Sequence, residues 1–241
     1  MNEESYPGKF VVFEGPDASG KQTQTERIAE WIRENNYSKI PENTEEQIIE
    51  QMPGSYPGKS EDSVENGVWR LSFPTYSETA GGRVVEAYLN GRLGDRDELD
   101  VTDIVDIYAA DRKQFKTVIQ NYLRSGGIII CDRYREANLI HQLVDFEGSE
   151  WHEMLEKIKK SDRDLPNADR IFYLDISPEE ALKRMKDRDK DMHELDRSYM
   201  EKSNRNGLRV ARQEGWHIMD GERSKEDIEA DLREHLKKEI L

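Results

Sequence analysis

The hydrophobic positions of this chain fall into short unbroken runs, separated by longer stretches in which they recur every three or four residues. The runs are Phe10-Val11-Val12-Phe13, residues 68–73, residues 127–131, Ile171-Phe172-Tyr173-Leu174 and, more weakly, Trp216-His217-Ile218-Met219. An apolar run without polar alternation predicts a strand covered on both faces, and such strands spaced by helices predict a parallel sheet. Helical spacing is clearest over 101–124, where Ile104, Ile107, Phe115, Val118, Ile119 and Tyr122 recur before Gly126-Gly127 turns the chain. Further helices are expected over 21–35, 79–90, 137–145, 178–186, 196–214 and 225–238. The pattern predicts an α/β fold, a doubly wound parallel five-stranded sheet with helices on both faces.

Residues 36–66 break the alternation. Pro41, Pro53, Pro57, several glycines and many glutamates give this stretch the composition of an exposed insertion or mobile loop, with Ile48-Ile49 marking at most one helical turn. A length of 241 residues then favours a single domain over 1–241, interrupted by this insertion.

Charged residues make up 36% of the chain and the formal charge is −15, which argues against an open nucleic-acid face. Phosphate handling would require local basic residues inside an acidic envelope, so individual arginines matter more than the total. The acidic excess is equally what solubility in a salty cytoplasm calls for. The single cysteine, Cys131, lies in an apolar run and reads as a buried strand thiol. The segment Met1-Asn2-Glu3-Glu4-Ser5 has no signal-peptide character, and no apolar run approaches the ~20 residues of a membrane span. No membrane partner and a cytoplasmic location are therefore expected.

Chemistry enters directly after the first strand, with Gly15-Pro16-Asp17-Ala18-Ser19-Gly20-Lys21-Gln22-Thr23. Two glycines five positions apart, a lysine after the second and a helix beginning there form a P-loop, whose backbone N–H groups make a nest for phosphate while Lys21 reaches the β- and γ-phosphates of ATP. The pattern asks for Ser or Thr after the lysine to place a hydroxyl on Mg²⁺. Here Gln22 stands there and the hydroxyl comes one place later, at Thr23. Gln22 is nevertheless a candidate neighbour of a hydrated Mg²⁺.

The third strand ends in Asp132-Arg133-Tyr134, at the carboxyl edge where open α/β sheets bind ligands. Asp132 suits water-mediated contact with Mg²⁺ and Arg133 a bidentate clamp on phosphate, although a simple strand-capping pair is the plainer alternative. Tyr108 and Arg112, four residues apart on one helix face, offer a stacking surface and a fixed donor for a pyrimidine base, or else a core tyrosine. Over 184–197, Arg184, Lys186, Arg188, Lys190 and Arg197 mix with acids and read either as a basic lid closing on the phosphates or as a solvated turn.

Several motifs in order make the chain resemble the thymidylate kinase family of P-loop kinases. They are Phe13-Glu14-Gly15 with Asp17, Phe73-Pro74, Tyr88-Leu89-Asn90-Gly91, Ala110-Asp111-Arg112, Asp132-Arg133-Tyr134 with Asn138, His141-Gln142, Leu165-Pro166, Asp169, Leu174-Asp175 and Asp191-Met192-His193-Glu194. The resemblance implies phosphoryl transfer from ATP·Mg²⁺ to dTMP and a homodimer. It assigns Asp17 to the deoxyribose 3′-hydroxyl, Phe73, Tyr108 and Arg112 to the thymine, Arg133 to the dTMP phosphate and Asp132 to the metal. Tyr76 replaces an arginine common two residues after Phe-Pro, and Ala137 replaces a serine. Gln22, Tyr76, Asn138 and His141-Gln142 together look like one branch of the family, with dTMP phosphate contacts redistributed.

Catalysis on this reading is positioning and charge stabilisation by Lys21, Arg133, Arg184 and Arg188, since the acceptor is already an anion. Two other readings stay open: a P-loop kinase for another nucleoside monophosphate or a deoxynucleoside, and a nucleotide-binding switch without transfer. The five histidines lack close metal-ligand spacing, and no serine sits on a Gly-x-Ser-x-Gly elbow.

Overall fold

The computed structural model describes residues 5–38, 40–41, 43–56, 64–94, 98–185 and 197–241. Five strands are parallel: β1 (Lys9–Glu14), β3 (Val68–Ser72), β4 (Ile128–Asp132), β5 (Arg170–Asp175) and β6 (His217–Asp220). A sixth, β2 (Val64–Glu65), pairs antiparallel with β3, so the sheet order is β2-β3-β4-β1-β5-β6 and the expected five strands become six. The addition is a hairpin whose two-residue turn is Asn66-Gly67, both at positive φ, as a tight turn matching strand twist requires.

β1 sits in the middle of the sheet and its side chains divide between two cores. Phe10 and Val12 face one with Trp69, Leu71, Phe115 and Tyr122; Val11 and Phe13 face the other with Ile28, Ile32, Phe172, Leu174 and Leu232. Burial on both faces explains why this strand shows no polar alternation. The helices are α1 (Lys21–Glu34), α2 (Thr44–Gln51), α3 (Ala80–Leu89), α4 (Val101–Lys113), α5 (Lys116–Arg124), α6 (Glu136–Gln142), α7 (Gly148–Ser161), α8 (Pro178–Arg184), α9 (Arg197–Gln213) and α10 (Lys225–Glu239). No described helix is long and apolar enough to cross a membrane.

Three expectations change. The helix expected over 101–124 is two, broken at Gln114-Phe115. There the Phe115 ring packs edge-on to Tyr56 and Phe73, while Gln114 Nε2 donates to the Asp111 carbonyl and the Thr79 hydroxyl. The stretch 36–66, expected as an exposed insertion, contributes α2 and β2, and Ile48, Met52, Tyr56 and Val64 are buried in the main core. Third, α7 lies outside every expected helix. Its Trp151, Leu155 and Ile158 recur at helical spacing and pack with Leu139, Leu143 and Val210.

Candidate active site

The carboxyl ends of β1, β3 and β4 open on one side of the sheet, and the P-loop leaves β1 there. Gly15 turns at φ 144°, where an added Cβ would lie 2.5 Å from the Leu174 carbonyl oxygen, so this turn admits only glycine. Gly20 then takes φ 96° at the head of α1. Lys21 Nζ is folded back on the loop, donating to the carbonyls of Gly15 at 2.9 Å and Pro16 at 2.6 Å and to Ser19 Oγ at 3.3 Å. Burial, then the neighbouring Arg133, pull the Lys21 ammonium down to about 8.

Asp132 and Arg133 come from the end of β4. Arg133 donates to Asp17 in an ion pair across the mouth of the loop. Burial alone would raise the Asp17 carboxyl, but Arg133 and Lys21 outweigh it and hold it well below the usual range. Asp132 Oδ1 is buried with no hydrogen-bond partner. Beneath them Glu14 is fully buried; its Oε1 accepts from the Tyr134 backbone N–H at 2.9 Å. Burial, then Glu136, push the Glu14 carboxyl up to about 8.

Backbone geometry marks the same place. Among the described residues the non-glycine positions at positive φ are Asn36, Asn43 and Asn66, which tolerate it, and Ala18, Tyr76 and Arg133, which do not readily. The latter three all line the cavities of this site. Strained backbone of this kind persists where the surroundings over-determine it.

Two cavities meet here. The larger, about 780 Å³, is lined by residues 17–25, by Asp132 and Arg133, and by Arg70, Arg184, Arg223 and Lys225. The smaller, about 80 Å³, lies between Phe73, Tyr108, Arg112, Asn138, His141 and Gln142. Asp17, Phe73, Tyr76 and Arg133 line both. The structure thus brings the expected phosphate-loop residues Asp17 to Thr23 together with Asp132 and Arg133, and gathers Tyr108, Arg112, Asn138 and Gln142 next door.

Arg184 is not in a free loop. It ends α8 and donates to the Ala18 carbonyl at 3.3 Å, the Gly221 carbonyl at 3.1 Å and Glu180 Oε1 at 2.9 Å, which ties it over the P-loop. Arg188, with the rest of the expected lid over 186–196, lies outside the described residues. Arg112 is 2% exposed and paired with Asp162, its Nη2 donating to Oδ2 at 2.6 Å and its Nε to Oδ1 at 3.3 Å.

Arg70, Arg223, Lys225 and Asp162 are missing from the sequence-based site. Arg70 carried a legible signal, a cation inside an otherwise apolar strand. Asp162 carried none, because it reaches Arg112 from 50 positions along the chain.

The thymidylate kinase family model matches residues 66–232, beginning beyond the phosphate loop. The thymidylate kinase of Caenorhabditis elegans is 27% identical over 177 residues, 73% of this chain and 67% of the relative. A probable thymidylate kinase of Pyrococcus abyssi is 26% identical over 239 residues, 97% of this chain and 98% of its own. The solved thymidylate kinase structure from Candida albicans shares the fold with a TM-score of 0.69 at 21% identity, over 98% of this chain and 93% of that one. With the family model covering more than half of its length, this chain belongs to the thymidylate kinase family.

Proposed function

We propose that the protein transfers the γ-phosphoryl group of ATP to dTMP, giving ADP and dTDP. The observation that carries this reading is the meeting of the two cavities at Asp17 and Arg133: one is built around a P-loop lysine, the other around an aromatic ring and a buried guanidinium. ATP phosphates fit the nest of residues 15–23, with Lys21 Nζ turning from the Gly15 and Pro16 carbonyls toward the β- and γ-phosphates. The thymine fits between Phe73, Tyr108, Arg112, Asn138 and Gln142, and Tyr76 closes the mouth shared with the phosphate site. Arg133 then reaches the dTMP phosphate, while Asp17 accepts the 3′-hydroxyl. The acceptor oxygen attacks the γ-phosphorus in line, so Lys21, Arg133 and Arg184 act by holding and neutralising charge rather than by moving protons.

The donors present suit Mg²⁺. Asp132 offers a buried, unpartnered carboxylate oxygen and Gln22 an amide on the same cavity. Among the described residues no three acidic, histidine or cysteine side chains converge, so such an ion would be held chiefly by substrate phosphates and water. When bound it would neutralise charge on the β- and γ-phosphates. From the same family resemblance we propose a single-domain homodimer packed through helices and working in the cytoplasm. Sedimentation velocity tests the dimer.

Coupled ADP release from ATP·Mg²⁺ with dTMP, dUMP, dCMP, dGMP, AMP and thymidine as acceptors tests the reaction. Stimulation by dTMP far above the others is expected. Stimulation by a purine nucleotide would overturn the thymine assignment, and no stimulation by any acceptor would overturn transfer itself.

A further inference from the structure

Asp162 closes the C-terminal end of α7, and its side chain is buried behind the smaller cavity without being among the residues that line it. It is the common partner of two residues that do. Its carboxylate accepts from Arg112 Nε and Nη2, at 3.3 and 2.6 Å, and from Asn138 Nδ2 at 3.5 Å. Asn138 Nδ2 also donates to the Val105 carbonyl at 3.3 Å. The orientation of an amide is normally ambiguous, but here both partners of one end accept only. A turned amide would set Oδ1 against a carboxylate and a carbonyl, so the nitrogen is locked inward and Oδ1 is the atom left for the cavity. In Arg112 the same carboxylate occupies Nε and Nη2, which leaves Nη1 as the donor for the cavity.

We infer that Asp162 is a positioning residue that makes the pocket read a pyrimidine imide, with Arg112 fixed as a donor to the ring carbonyl and Asn138 fixed as an acceptor for the adjacent ring N–H. The inference rests on the reading of the smaller cavity as the acceptor-base site. Thymine and uracil carry that carbonyl beside an N–H. Cytosine carries an amino group and a bare ring nitrogen, so it would set donor against donor at Arg112 and lone pair against lone pair at Asn138. Both mismatches leave buried polar groups unpaired, the arrangement that discriminates most strongly between analogues.

Asp162→Asn tests this, because the new amide offers a donor as well as an acceptor and releases Asn138 to turn. The readout is the ratio of kcat/KM for dTMP to that for dCMP, and the ratio is expected to fall about 10- to 100-fold. In an Asn138→Ala background the Asp162→Asn change should move the ratio no further through Asn138, leaving only the smaller part due to Arg112. Equal losses on both substrates, or a lowered Tm with an unchanged ratio, would make Asp162 only a brace between helices and overturn the inference. If Asp162→Asn does not fold, Asn138→Ala alone decides: its ratio should drop, and an unchanged ratio overturns the assignment. A wild-type protein that phosphorylates neither pyrimidine nucleotide would instead overturn the underlying acceptor-site reading, and the inference with it.

Discussion

Lys21 is the most exacting residue of the site. It is 4% exposed, hydrogen-bonded to two backbone carbonyls, and close enough to Arg133 that burial and that cation lower its affinity for protons. A bound polyphosphate relieves this situation by giving both cations an anion to hold. Replacing Lys21 by Ala is expected to lower kcat at least ~100-fold with little loss of Tm, since the change removes a buried charge rather than core packing. Steady-state rates and a thermal melt check both halves, and near-normal kcat would contradict the role.

Glu14 poses the opposite problem. Its carboxyl is raised from 4.5 to about 8 by burial and by Glu136, and Oε2 of each carboxylate is buried without a hydrogen-bond partner. The folded protein therefore binds a proton here that the unfolded chain has lost. The corresponding stability is fully present below pH 4.5 and is lost as pH rises through about 8. Glu14→Gln keeps the acceptor for the Tyr134 N–H and has no charge to develop. Its stability relative to wild type is expected to grow between these pH values, by on the order of 1–3 kcal/mol at the upper end. Urea unfolding at several pH values measures this, and a constant difference would show Glu14 ionised throughout.

At the scale of elements, the buried parallel strands and most helices were legible because each is set by its own run of residues. The exceptions share a cause. In 36–66, prolines, glycines and glutamates gave a loop-like average that reduced Ile48 to part of a single turn and hid Met52, Tyr56 and Val64, each inserted singly into the core. Ile48→Ala is expected to cost about 2–4 kcal/mol in denaturant unfolding, where an exposed loop residue would cost nearly nothing. The Asn66-Gly67 turn was a readable hairpin signal beside a strand too short to stand out. The continuous spacing over 101–124 could not reveal the break at Gln114-Phe115, because that break follows from where Phe115 meets Tyr56 and Phe73.

For the whole molecule, 51 acidic residues against 36 basic ones leave a net negative surface around a cavity lined by Lys21, Arg70, Arg133, Arg184, Arg223 and Lys225. Self-repulsion of such a surface is screened by salt, while the inward-facing cations are screened less. Tm is therefore expected to rise as NaCl increases toward ~1 M, followed by differential scanning calorimetry. A falling Tm would mean that favourable surface ion pairs outweigh net repulsion.

The sequence by itself determined the parallel α/β sheet, the phosphate loop and the Asp132-Arg133 motif, because these depend on local hydrophobic pattern and fixed spacing. Helix spacing also paired Tyr108 with Arg112, and the family resemblance singled out Asn138 and Gln142, all four of which line the smaller cavity. Only the tertiary structure decided that Arg112 and Asn138 share Asp162, that Arg184 is pinned to the Ala18 and Gly221 carbonyls, and that Ile48, Met52, Tyr56 and Val64 fill core. These contacts join residues tens to hundreds of positions apart. Their energies arise from burial and pairing in three dimensions, and no local pattern in the chain encodes them.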